Sequence, residues 1–228
     1  MARAACQIFT EKGYRRTLMT DVGAELGLSH ALLYRYVDGK EALFELALRY
    51  AIDEQAAAAI SVPVPTPPTG HMLGLVRSWS RANAVFPVLA SALDGQPPAD
   101  AAAELLGIID ERYAFVERNR RVLALIERSA LDIPDLHALY FTKGRRNQTD
   151  RLARYLDRRI RSGHLRPVPD AGVAARFIGE TIAWFAWHRK DDPDSAMIGD
   201  EPARQTVREL LVTALAVPGR AGRKASRQ

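Results

Sequence analysis

Between Thr20 and Lys40 the chain collects hydrogen-bond donors at short intervals: the His30 imidazole, the Tyr34 and Tyr36 phenols, the Arg35 guanidinium and the Lys40 ammonium. Donors of these kinds on one exposed helix suit phosphate oxygens and the edges of DNA bases. Arg35 can give two bonds to a guanine, and each tyrosine one bond to a phosphate. Lys40 opens a helix, where its charge adds to the free amides at that end. Plainer readings compete: the tyrosine rings can simply pack, and Arg35 can be a solvated charge.

No constellation for catalysis stands beside them. The five histidines (30, 71, 137, 164 and 188) make no metal-ligand spacing with one another or with Cys6. Asp191-Asp192-Pro193-Asp194 lacks the later ligands of a calcium loop and reads as a solvated turn. Neither a glycine loop that cradles phosphate nor a nucleophile elbow occurs. The chain is therefore expected not to be an enzyme and to need no metal or cofactor.

The donors must be positioned by the elements around them. Ala2–Lys12 reads as a first helix, with Ala5, Ile8 and Phe9 on its inner face and Gly13 closing it. Met19–Leu26 is a short second helix, with Val22 and Leu26 inward and Gly23 small enough for a close approach by the next helix. Gly27 has the left-handed freedom that a sharp turn needs. Leu28 plugs the corner, and Ser29 caps a third helix over His30–Val37. Leu33 and Val37 anchor that helix and leave His30, Ala31, Leu32, Tyr34, Arg35 and Tyr36 facing outward. Asp38-Gly39-Lys40-Glu41 reads as a cap with an acid three residues on, starting a fourth helix to about Ala59. Two short helices, a glycine turn and an exposed second helix make a helix-turn-helix.

The same residues resemble the TetR family of bacterial transcriptional regulators. The resemblance rests on Phe9, Glu11-Lys12-Gly13-Tyr14, Asp21-Val22-Gly23, Leu26-Gly27-Leu28-Ser29, Leu33-Tyr34-Arg35-Tyr36-Val37 and Lys40-Glu41-Ala42-Leu43. It implies that His30, Ala31, Leu32, Tyr34, Arg35 and Tyr36 meet DNA, with Ser29 at the start of that helix, and that Thr20 and Lys40 hold backbone phosphates. Three positions depart from the family pattern. Met1 stands almost inside the first helix, so either the native start lies upstream or a basic arm is lacking. Leu18 replaces the usual capping threonine or serine, leaving that role to Thr17 or Thr20. Gly39 replaces a serine, leaving Asp38 as the cap.

Bulk composition agrees with a regulator without pointing to one. The net charge is +5, but residues 1–50 hold seven basic and six acidic side chains, so the head itself is nearly neutral. A single cysteine, Cys6, excludes an internal disulfide framework and suits a reducing cytoplasm. No apolar run is long enough to span a membrane.

Periods near 3.6 continue to about residue 217, so the fold is expected to be all-α. Residues 1–50 form the head, 51–218 a larger effector-binding and dimerisation domain, and 219–228 a basic disordered tail. Pro63, Pro65, Pro67 and Pro68 make 62–70 an extended connector. Beyond it, helices are expected over His71–Leu93, broken or kinked at Pro87, then Ala101–Glu117, Arg120–Leu131, Pro134–Ser162, Ala171–Arg189 and Glu201–Val217. Arg145, Arg146, Arg151, Arg154, Arg158, Arg159 and Arg161 would form a basic surface, either solvated, paired with acids, or meeting DNA or an acidic partner.

By the resemblance, this region holds a small-molecule pocket and pairs the last two helices of two subunits. Phe177, Ile178 and Trp187, with Leu210, Leu211 and Leu215, are the expected homodimer contacts. Trp79, Phe86, Tyr113 and Phe115, with His137, Tyr140, Phe141 and Trp184, could line a cavity for an apolar or aromatic effector. The function expected is a ligand-responsive repressor binding a palindromic double-stranded operator as a homodimer. Two rivals are a helical small-molecule-binding or enzymatic protein with a vestigial helix-turn-helix, and an interaction protein that uses its terminal helices.

Overall fold

The computed structural model describes residues 1–96, 98–195 and 197–217, and the expected tail 219–228 lies outside them. The described residues are helical, with two isolated bridges in place of strands, Val37 with Val64 and Leu165 with Ala216. Contacts divide the chain into one unit of residues 1–84 with 119–144 and another of 85–118 with 145–228.

The first unit opens with α1 (Ala2–Lys12), α2 (Met19–Glu25), α3 (His30–Leu33) and α4 (Lys40–Ile52). Phe9, Val22, Leu33, Val37, Leu43 and Ala47 are wholly buried in its core. Phe9, Tyr14 and Phe44 stack around one another with ring centroids 5.0–5.9 Å apart. The fourth helix is shorter than its apolar pattern suggests. Asp53 leaves the helical conformation, and its carboxylate accepts from the Gln55 and Ala56 amides, starting a separate α5 (Glu54–Ala58). The prolines then hold the connector out of helical form until α6 (His71–Asn83).

The end of α8 (Ala101–Ala130) returns to this unit. One helix replaces the two expected, because Arg118-Asn119 interrupts the apolar pattern but no proline or glycine stands between residues 108 and 133. Arg128 donates from Nε and Nη2 to the Glu11 and Lys12 carbonyls, which α1 leaves without helical partners. Asp132 accepts from the Arg15 amide at 2.9 Å. Gly13 sits between them at φ 84°, where a Cβ would lie 2.7 Å from the Asp132 carboxylate. That corner needs glycine twice over, for its backbone angle and for the acid pressed against it.

The expected helix over Pro134–Ser162 is continuous but not uniform. It runs as α9 (Pro134–His137), a widened π-helical stretch over Ala138–Arg146, and α10 (Asn147–Arg161). Gly144 lies in the wide turn, where a Cβ would approach the Leu139 carbonyl to 3.3 Å.

The second unit contains α7 (Pro87–Asp94), the earlier part of α8, α10, α11 (Ala171–Ala186) and α12 (Asp200–Leu215). Pro87 does break the helix before it, standing at the first turn of α7. The α7 amides of Val88 and Leu89 donate to the Glu111 carboxylate, each at 2.9 Å. Helix α11 stops at Ala186 rather than at Arg189, because the Arg189 guanidinium folds back onto the Phe185 carbonyl. Arg159 is not part of a basic surface. It shares the inner face of α10 with Leu152, Tyr155 and Leu156, is fully buried, and grips Glu104 through two bonds of 2.7 and 2.9 Å. Other arginines of that helix pair with Asp157 or with the carbonyls of Leu93 and Gly95. Among the described residues no helix is long and apolar enough to cross a membrane.

Candidate nucleic-acid interface

The α2–α3 corner is closed by its backbone. The Leu28 amide donates to the Gly23 carbonyl at 2.8 Å and the Gly27 amide to Ala24 at 3.1 Å, with Gly27 at φ 64°. This is the paired ending that a left-handed residue after a helix permits. Gly23 is small for a reason nearer than the next helix: a Cβ there would meet the Leu28 carbonyl at 3.0 Å.

Ser29 caps α3 as expected, its hydroxyl accepting from the Leu32 amide at 3.2 Å. The helix keeps only four α-helical residues. Past Leu33 it tightens, with Arg35 bonding to Leu32 and Tyr36 to Leu33 across three residues instead of four. Arg35, Tyr36 and Val37 therefore leave the regular helix that the spacing predicts. Ser29, His30, Ala31, Tyr34, Arg35 and Tyr36 are exposed, and Leu32 is half-buried. The rings of His30 and Tyr34 meet edge to face at 4.9 Å, so these side chains support each other at the surface.

The far end of this segment is held by residues that sequence reasoning did not connect to it. The Asp38 amide donates to the Val64 carbonyl at 3.0 Å, and the Val64 amide to the Tyr36 carbonyl at 2.8 Å. Val64 itself is buried. The proline-rich connector is thus a short strand-like strap on the end of the helix-turn-helix. Two valines among prolines were the available signal, and they name neither which one is buried nor its partner.

Two expected caps are corrected. Asp38 does not cap α4, since Gly39 is the capping residue and makes no side-chain bond. Neither Thr17 nor Thr20 caps α2. The Thr17 hydroxyl is buried and donates to the Gly13 carbonyl at 2.7 Å. In their place Asp21 reaches back to accept from the Leu18 amide at 2.8 Å. Lys12 pairs with the same carboxylate at 2.8 Å.

Thr20 is exposed near the start of α2. Lys40 is half-buried, bonds to the Arg15 carbonyl at 3.1 Å and lies 4.9 Å from the centre of the Tyr14 ring. Burial draws its pKa down, while Asp132, Glu41 and Asp21 pull it the other way. One of its three N–H bonds is thereby directed inward, which fixes the ammonium beside the exposed segment.

The aromatic candidates for an effector cavity fall four in each unit. In the first, Trp79 is buried, His137 is exposed, and Tyr140 and Phe141 are half-buried with rings in contact. In the second, Phe86 and Phe115 meet edge to face at 5.3 Å, Tyr113 is buried with its hydroxyl on the Phe185 carbonyl, and Trp184 is exposed. Among the expected dimer contacts, Ile178, Trp187, Leu211 and Leu215 are buried within their own unit, whereas Phe177 and Leu210 are exposed. Among the described residues no group of three acids, histidines or cysteines is placed to hold a metal.

Residues 2–47 match the model of the bacterial regulatory proteins of the tetR family. The match is confined to the helix-turn-helix and the greater part of the helix that follows it. Solved structures share the fold over most of the chain. The ketosteroid transcriptional regulator KstR2 of Mycobacterium tuberculosis is 16% identical, over 95% of this chain and 93% of that one, with a TM-score of 0.54. A bacterial regulatory protein of the tetR family from Rhodococcus RHA1 is 17% identical over 96% of each chain, with a TM-score of 0.52. AibR, solved in complex with isovaleryl coenzyme A and operator DNA, is 16% identical over 92% of this chain and 95% of that one, with a TM-score of 0.52. No curated protein is significantly similar in sequence.

Asp21 gives the head a measurable pH dependence. The bond from Lys12 foremost, then the Leu18 amide, holds its carboxyl below the usual range. The resulting stability is present above the unfolded carboxylate pKa of about 3.9 and is lost as pH falls through the lower, folded value. Asp21→Asn should lower the melting temperature at neutral pH, and the gap to the wild type should close on acidification. An equal gap at pH 7 and at pH 3 would contradict this assignment.

Proposed function

We propose that the chain is a ligand-responsive transcriptional repressor that binds a palindromic operator as a homodimer. The observation that carries this reading is the exposed donor-bearing segment 29–36, held on a fully buried helix-turn-helix core inside the stretch that matches the tetR family. Arg35 reads a base edge, with His30, Ala31, Leu32 and Tyr34 beside it. Ser29 and Tyr36, with Thr20 and Lys40, hold phosphates. One such head is small and nearly neutral, so two joined heads, spaced one DNA turn apart, supply affinity that a single head lacks.

The exposed apolar residues of the second unit support the pairing. Val173, Phe177 and Trp184 lie along α11, and Leu210 on α12, at 37–68% exposure. Large apolar side chains gathered on neighbouring helices mark a surface that another protein covers. A second copy supplies the same surface in return. An apolar or aromatic effector bound to the helical region releases the operator if it prefers the conformation that does not fit DNA. The structure of AibR holds both an acyl thioester and operator DNA, which supports joining the two activities on this fold.

Duplexes from the DNA flanking the gene test the reading. Binding should weaken steeply with salt, as phosphate contacts require. Arg35→Ala should cost about 1–3 kcal/mol on the selected sequence and much less on unrelated DNA. Absence of binding to every fragment, or binding indifferent to salt, would overturn the proposal. In sedimentation, the double variant Phe177→Glu, Leu210→Glu should be a monomer and should bind the operator more weakly. A variant that remains dimeric would remove these residues from the interface.

A further inference from the structure

Arg112 in the second unit carries a charge that its surroundings leave partly unmatched. Its Nη1 atom is buried without a hydrogen-bond partner, and its guanidinium lies 5.5 Å from the centre of the Phe86 ring. The nearest acid, Glu111, is already engaged by the Val88 and Leu89 amides. Burial foremost lowers the Arg112 pKa to about 10, opposed by Glu111 and aided by Arg151, so the group is still a cation at neutral pH. A buried cation without a fitted anion is costly and is kept where something else completes it.

The surroundings describe what would complete it. Glu104 on α8 and Arg159 on α10 are joined by two bonds. Arg151, eight residues before Arg159 on α10, is near enough for its charge to act on Arg112. Phe86 and Phe115 meet edge to face beside the guanidinium. Two cations and two aromatic rings therefore gather in one place, with one acid already occupied. A groove of about 360 Å³ in the same unit is lined by Pro87, Val88, Ser91, Ala92 and Glu104.

We propose that Arg112, with Arg151, is the seat for the carboxylate of a small organic acid whose apolar or aromatic body lies against Phe86 and Phe115. The carboxylate takes the free Nη1 donor in a charge-assisted bond, and the Arg151 charge strengthens the attraction. This rests on the effector reading above and sharpens it: the effector is an acid, and a neutral hydrocarbon or phenol leaves the buried cation unmatched.

The test is a titration of the full-length protein with 3-phenylpropionate and with its neutral amide, followed by calorimetry. The acid should bind about tenfold or more tightly than the amide, the difference that a charge-assisted bond makes. Arg112→Met should melt no lower than the wild type, since it removes an unmatched buried charge, and should bind acid and amide equally. Arg112→Lys should restore part of the preference. Equal binding of acid and amide by the wild type, no binding of either, or an unchanged preference in Arg112→Met would each overturn the seat. Operator binding measured on the same samples separates the two readings. Release by neutral apolar compounds but not by acids overturns the seat and leaves the regulator. Acid binding through Arg112 that leaves DNA affinity unchanged supports the seat and removes it from regulation.

Discussion

The exposed donor-bearing segment after α2 has almost no structure of its own, and long-range bonds hold it in place. A helix of four residues is far below the length at which a helix sustains itself in water. Its anchors are the buried side chains of Leu33 and Val37, and the Val64 strap across its end. The corner before α2 is held in the same manner, by Arg128 on the open carbonyls of α1 and by Asp132 on the Arg15 amide. Both devices come from outside the motif, one from the proline connector and one from the end of α8. They leave the donors of residues 29–36 pre-set on a rigid support, so that little ordering remains to be done on binding.

The second unit solves a different problem with the same residue type. Arg159 on α10 is enclosed by apolar neighbours and donates two bonds to Glu104 and one to the Ala92 carbonyl. One of its atoms, Nη1, remains without a partner, yet the charge is paired. On Arg112 the Nη1 atom is buried without a hydrogen-bond partner, and the neighbouring Glu111 is taken by the α7 amides.

Most helices were legible in the sequence, because the apolar period and the glycine and proline signals act over a few residues. Gly13, Gly27, Ser29, Pro87 and Asp170 did what their positions imply. The errors came where a local signal had a competitor. Thr17 has a capping hydroxyl, but the buried Gly13 carbonyl claims it, and Asp21 serves the α2 start from inside the helix. Asp53 interrupts an unbroken apolar pattern because its carboxylate caps the next turn better than it suits a helix interior. The boundary of α3 was overestimated because Tyr34-Arg35-Tyr36 keeps helical spacing in sequence while its bonds tighten in space. Residues such as Val64, Arg128 and Asp132 were illegible, since nothing local records a partner up to 117 residues away. For the donors of residues 29–36, spacing was enough to foresee that most of them are exposed, and their neighbours were not legible.

Amide hydrogen exchange at Arg15, Asp38 and Val64 tests most directly whether the exposed donor segment hangs on these distant bonds. Each of the three amides donates to a residue at least 26 positions or one connector away from its own turn. The account predicts that they exchange in the slow class of the α4 core amides and lose protection together with them. Exchange at free-peptide rates while α4 stays protected would contradict it.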